Sequence, residues 1–238
     1  MAEKIDRTGE VINEVKIYAY RTAKDLDVIF PDGTIVLNKK YCHFKNSNIK
    51  NPNSPIVFGV GYFGVGKYNH KDNKKLSQTW LGMMQRCYSL EFKKNRPTYK
   101  DCTVHSDWHN FQNFAEWFEE NYIEGYCLDK DFTIMDNKEY SEKTCKFIPN
   151  EINVILTNVS SSNKKYLVGV NLHKTGKFQA TLSIKNKRVY LGLFDKEIDA
   201  FIAYKKSKEA YVREQLIVFR NEIGEVIFNN LINYSINQ

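Results

Sequence analysis

The stretch GYCLDKDFTIMDNKEYSEKTCKF, residues 125–147, carries the side chains best suited to chemistry. Asp129 and Asp131 lie two positions apart on an apolar, strand-like run, and alternate residues of a strand share a face. Two carboxylates on one face are able to hold a hard cation such as magnesium. The plainer alternative is a pair of turn-side carboxylates in a scaffold without chemistry. Lys130, between them, is a poor general base. An ordinary lysine, with a pKa of about 10.4, stays protonated near neutrality, and flanking carboxylates raise that value. Lys130 is therefore placed either to contact a phosphate or to pair with Asp131.

Other candidates for chemistry are weaker. His105 and His109 stand at i, i+4, a spacing that can bind zinc, but the intervening Ser-Asp-Trp reads as a helix start. The five cysteines (42, 87, 102, 127 and 145) include no C-x-x-C pair, which argues against a zinc ribbon or disulfide framework and for reduced, mostly buried thiols. Glycines 59, 61, 64 and 66 are not followed by the Gly-Lys-Ser/Thr ending of a phosphate loop, so a bent β segment with close backbone approach fits better. The chain has no apolar run of 18 residues and no signal-peptide core near Met1, which leads to the expectation of a soluble protein of the bacterial cytoplasm with no membrane partner.

Charge narrows the choice of partner. The net charge of +7 is uneven: residues 160–213 hold 12 Lys/Arg against 4 Asp/Glu, while the remainder holds 23 against 24. A basic module on a near-neutral body points to a polyanion, because clustered cations gain affinity by releasing counterions from phosphates.

The elements that must position these groups fall into three sections, giving an α+β chain with expected divisions 1–75, 76–160 and 161–238. The first is β-rich: DLDVIFPDGTIVLN alternates Leu26, Val28 and Phe30, turns at Pro31-Asp32-Gly33 and resumes with Ile35 and Leu37. The second holds aromatic helices. Trp80, Met83, Met84, Cys87 and Tyr88 share one helical face. Trp108, Phe111, Phe114, Ala115 and Phe118 share another, on a helix capped by Ser106 or Asp107. The third has three short strands, YLVGVNLH, KFQATLSIK and RVYLGLF. A helix follows whose Ile198, Phe201, Ala203 or Tyr204, Ser207 and Tyr211 should face them, and the last 24 residues extend it and add another apolar helix.

One face of that antiparallel sheet is apolar and needs the helix as cover. The other carries Asn171, His173, Lys177, Gln179, Thr181, Ser183, Arg188 and Tyr190, with Lys174, Lys185 and Lys187 in or beside the turns. It is flat, polar and cationic, without acidic residues. A small sheet of this kind enters the major groove of double-stranded DNA and reads base edges with its long side chains.

The motifs Gly169-Val170, Tyr190-Leu191-Gly192-x-Phe194 and Ala200-x-x-x-Tyr204 resemble the DNA-binding domain named after the plant apetala and ethylene-response factors, which also occurs in phage and mobile-element endonucleases. The ordered pieces TWLGMMQRCYS, PTYKDCTVHSDWHNFQNFAEWF, LDKD and YSEKTCKFIPNEIN resemble the HNH-type homing endonucleases of phages. Together the resemblances cover about half the chain. They imply a central ββα nuclease scaffold binding Mg2+ or another divalent ion, which would polarise the scissile phosphate. In this resemblance the metal ligands fall on Asp129, Asp131 and the helix residue Asn153. Lys130 stands where a histidine base is usual, and Thr144 stands near a usual asparagine. Asn137, in the turn, either positions a water or shapes the turn. The resemblance thus implies a metal-dependent endonuclease or nickase, or else a DNA-binding protein that kept the fold and lost cleavage, acting as a regulator or inhibitor. A homodimer, and a protein target for the inhibitor, are further partners left open. RNA binding by the N-terminal β section is a more distant reading, without an aromatic signature.

Overall fold

The computed structural model describes residues 5–131, 137–157, 165–185 and 187–236. It is mixed α and β, with an antiparallel sheet near the N-terminus and a three-stranded antiparallel sheet near the C-terminus. Contacts group the chain into two compact units, Met1–Glu120 with Lys138–Ser141, and Asn121–Asn137 with Glu142–Gln238. The sequence divisions after 75 and 160 do not coincide with this grouping. No helix among the described residues is long and apolar enough to cross a membrane.

The first unit begins with a meander of β1 (Val11–Ile12), β2 (Val15–Thr22), β3 (Asp25–Ile29) and β4 (Ile35–Lys39), closed by the short helix α1 (Tyr41–Lys45). Ile17, Leu26, Val28, Phe30 and Phe44 form its core. The turn at Pro31-Asp32-Gly33 forms as its chemistry requires: Gly33 has φ 84°, Phe30 N donates to Thr34 O at 2.9 Å, and Asp32 Oδ1 accepts from Thr34 N at 3.0 Å. The alternation expected beyond it is off by one residue. A bulge between Leu26 and Val28 sets Val36 opposite Val28, so Val36 turns inward and Leu37 is exposed. Asp27 is buried against this sheet and keeps its charge through Arg21, which donates to both its oxygens at 2.7 and 2.8 Å, and through Asn38 N at 2.9 Å. The guanidinium holds the Asp27 carboxyl below its usual pKa despite burial.

The aromatic helices follow. In α2 (Lys74–Tyr88) the buried face is Trp80, Met83, Met84 and Cys87. Gly61 lies against it so closely that a Cβ there would stand 2.7 Å from the Met84 side chain. After α3 (Leu90–Asn95) and β5 (Thr103–Val104), the helix expected to start at Ser106 instead starts five residues later as α4 (Phe111–Asn121), preceded by a 3-10 turn over Ser106–His109. The cause is a backbone bridge. Tyr62 donates its N–H to His109 O and accepts from Phe111 N, both at 2.9 Å, so the chain opens there. Asn110, whose Oδ1 accepts from Gln112 N at 3.0 Å, caps the helix in place of Ser106 or Asp107.

In the second unit β6 (Tyr126–Asp129) pairs antiparallel with a strand over Lys146–Pro149, and a helix over Asn150–Thr157 follows at once. Glu139–Tyr140, between them in sequence, pairs with β5 in the first unit; we label it β7, the Lys146–Pro149 strand β8, and the helix α5. The C-terminal sheet is β9 (Val170–Leu172), β10 (Phe178–Ile184) and β11 (Lys187–Phe194), with β10 central. Helix α6 (Glu197–Val218) buries Ala200, Phe201, Tyr204, Lys208, Val212 and Leu216, an i+4 ridge. Its start differs from expectation: Ile198 is exposed, and Ala200 takes the place against the sheet. The reason is that α6 serves two cores. Ala200, Phe201 and Tyr204 pack on Val170, Ala180 and Leu182. Val212 and Leu216 pack on Ile148, Ile152 and Ile155, together with residues of α7 (Arg220–Ile223) and α8 (Glu225–Leu231).

Gly169 lets the sheet approach α6. It adopts φ 77°, and a Cβ would lie 2.1 Å from the Tyr204 ring. Gly125 has a similar φ of 84° but open space around it. Gly125→Ala should therefore cost about 1–2 kcal/mol for the left-handed backbone alone, and Gly169→Ala about 1–3 kcal/mol more for the steric conflict. Urea unfolding of the two variants measures the difference.

Candidate nucleic-acid interface

The Asp129–Asp131 centre sits where β6 ends, with Asp129 opposite Lys146. Asp129 Oδ1 accepts from Asp131 N at 2.7 Å, which tightens the chain after the strand. Lys130 turns inward and is only 5% exposed. Its ammonium donates to the Asp131 carboxylate and, at 2.7 Å, to the Asn137 carbonyl, while Asn137 Nδ2 returns a bond of 3.0 Å to Lys130 O. Of the two roles open to Lys130, pairing with Asp131 is the one realised, and burial removes it from phosphate contact. Lys130 and Asn137 thus exchange two hydrogen bonds.

Asn153, on α5, donates through Nδ2 to Cys127 Sγ at 3.1 Å, and Thr144 is buried. A hard cation is held by several oxygen ligands; here the Asp131 carboxylate pairs with the buried Lys130 ammonium and Asp129 Oδ1 accepts a backbone N–H. Among the described residues, no three His, Cys, Asp or Glu side chains group to hold a metal. The histidine pair is likewise structural: His109 Nε2 lies 3.0 Å from both the Tyr88 hydroxyl and Val104 O, and His105 Nδ1 lies 3.4 Å from Asp107 N.

The open face of the C-terminal sheet follows from its register, since directly opposed residues share a face. Asn171 stands opposite Gln179 and Gln179 opposite Leu193, Thr181 opposite Tyr190, and Ser183 opposite Arg188. Asn171, Ser183, Arg188 and Tyr190 are exposed, Gln179 and Thr181 half-buried. A bulge between Ala180 and Thr181 leaves Leu191 without a partner and reverses the alternation of β11 beyond it. Leu193, which strict alternation with Val189 and Leu191 would put on the covered face, therefore lies on the open one. Gly192 was the legible signal, because a glycine inside a strand often marks a bulge.

The cations occupy the margins of this face. Lys174 and Lys185 are exposed at the two turns, Lys185 with φ 47°. Lys177 pairs with Asp195 at 2.9 Å, both exposed, so the margin has an acidic residue that the reading of the face omitted. Such a surface pair contributes about 0–1 kcal/mol and exchanges readily for a phosphate. Lys187 stands opposite Ile184, which packs toward α6, and so belongs to the covered side. His173 is held in its turn by Lys177 O at 2.8 Å from its N–H, with Nδ1 2.8 Å from Thr175 Oγ1. The result is a strip of amide and hydroxyl groups between basic ends, with arginine and amide side chains of the kind that read guanine and adenine edges.

Compared with protein-family models, curated proteins and solved structures, the chain matches none.

Lys130→Ala should destabilise the fold by about 2–4 kcal/mol, because it strands the Asn137 carbonyl and leaves Asp131 without its cation. Asp131→Asn, which keeps a polar partner for the ammonium, should cost only about 1–2 kcal/mol. Equal, negligible losses in urea unfolding would show that the clamp does not hold the loop.

Proposed function

We propose that this chain is a double-stranded-DNA-binding protein of the phage or mobile-element HNH endonuclease type, in which the ββα unit has become structural. It binds duplex DNA through the open face of β9–β11 and acts in the host-cell cytoplasm as a regulator or inhibitor. The strand-strand-helix order of β6, β8 and α5 supports the HNH relationship. One observation carries the loss of cleavage: the Lys130 ammonium is buried between Asp131 and Asn137 O. A general base must reach the proton it takes, and a metal site must present unneutralised oxygens. This clamp supplies neither.

Binding rests on the sheet. Arg188 and Tyr190 are exposed on the open face, and Asn171 and Gln179 stand side by side across β9 and β10. In the major groove arginine reads guanine and amide side chains read adenine.

Two measurements test the proposal. Incubation with supercoiled plasmid and magnesium or manganese should give no nicking that Asp129→Ala abolishes; nicking that vanishes in that variant would establish the endonuclease instead. In gel shifts, Arg188→Ala should weaken duplex binding about 5- to 100-fold. Lys177→Ala should weaken it less, because Lys177 must first leave Asp195. Wild-type affinity in both variants would remove the sheet face from the proposal.

A further inference from the structure

A second cationic surface lies in the first unit, in a part of the chain whose overall charge is near neutral. Arg86, Lys93, Lys94, Arg96 and Lys100 fall within the sixteen residues 86–101, against Glu91 and Asp101. The fold gathers them. Arg86 lies at the end of α2, α3 carries Lys93 and Lys94, and the 3-10 turn Pro97–Tyr99 brings the chain back. Lys93 Nζ donates to Lys100 O at 2.9 Å, and the Phe92 and Tyr99 rings meet edge to face at 5.7 Å, so both ends of the segment are held together.

Arg86, Lys93, Lys94, Arg96 and Lys100 take part in none of the salt bridges among the described residues. Lys94, Arg96 and Lys100 are exposed. Arg86 is half-buried and directed at phenols: burial opposes its charge, but Tyr140, which takes a hydrogen bond from it, and Tyr99 more than offset that and raise its pKa. A guanidinium partly desolvated without a carboxylate retains donors suited to a phosphate.

We infer that the shelf formed by the end of α2, α3 and the Pro97–Tyr99 turn binds backbone phosphates of duplex DNA, as a contact separate from the C-terminal sheet. Its chemistry differs from that of the sheet. The shelf offers Lys and Arg with no run of amides, which suits sequence-independent phosphate contact rather than base reading. The partner named here rests on the duplex-binding reading above.

The test uses the full chain with Lys94, Arg96 and Lys100 all changed to serine, positions exposed enough to leave the fold intact by circular dichroism. Affinity for a 40-base-pair duplex is measured against salt concentration, beside wild type and Arg188→Ala. Loss of three phosphate contacts should lower the salt slope by about 2.7, at about 0.9 per phosphate, and weaken binding at least about tenfold at low salt. A wild-type slope in the triple variant overturns the shelf, even if Arg188→Ala weakens binding and so upholds the sheet. The expected slope change with an inert Arg188→Ala upholds the shelf and removes the sheet. Loss confined to single-stranded RNA, with duplex binding unchanged, also overturns the inference.

Discussion

A three-stranded sheet can leave one face to a ligand only if its other face is dry, and that constraint falls on α6. Ala200, Phe201 and Tyr204 cover Val170, Ala180 and Leu182, and each large side chain so buried contributes about 1.5–3 kcal/mol. Without this cover, β9–β11 would be a small meander with apolar residues in water, below the size at which sheets stand alone. The same helix continues for three further turns and buries Val212 and Leu216 against the β8–α5 segment. Helix α6 thus joins what the sequence presents as two modules into one unit. Lys208, on the same i+4 ridge between Tyr204 and Val212, is buried as well, and burial lowers the pKa of its ammonium.

That dual role explains which parts of the fold were legible. Periodicity exposed the buried face of α2, the alternation of β10 and the Pro31-Asp32-Gly33 turn, because each depends on neighbours a few residues away. It failed where a distant partner decides. The start of α4 is fixed by a backbone bridge from Tyr62, nearly fifty residues earlier, which no local cap signal reveals. The stripe on α6 was read from Ile198 as though one sheet lay beneath its whole length. With two cores below it, the ridge begins at Ala200 and leaves Ile198 and Ile202 exposed.

The candidate site divides in the same way. Which residues form the open face was largely visible in the alternation of β9 and β10. Leu193 and Lys187 were misplaced, since one bulge reverses a strand and one hairpin sets its phase. At Asp129 and Asp131 the sequence offered a spacing compatible with a metal, but spacing cannot say where a lysine between two carboxylates will point. The structure points Lys130 inward, where it bonds Asp131 and the Asn137 carbonyl.

The two cationic surfaces differ in the side chains that accompany their charges. On the sheet margin Lys177 is already engaged by Asp195, so a phosphate there must displace an exposed carboxylate, at little cost but for little net gain. On the open face Arg188, Asn171 and Gln179 carry directional donors and acceptors of the kind that the proposed base readout would use. On the shelf of the first unit the cations meet no carboxylate in a salt bridge among the described residues; Lys93 donates to Lys100 O and Arg86 to Tyr140. Under the proposed function, discrimination and attraction would reside on different surfaces: the sheet would supply specificity, and the shelf would supply contacts that ignore sequence. That division would suit a duplex binder that finds one site without cutting it.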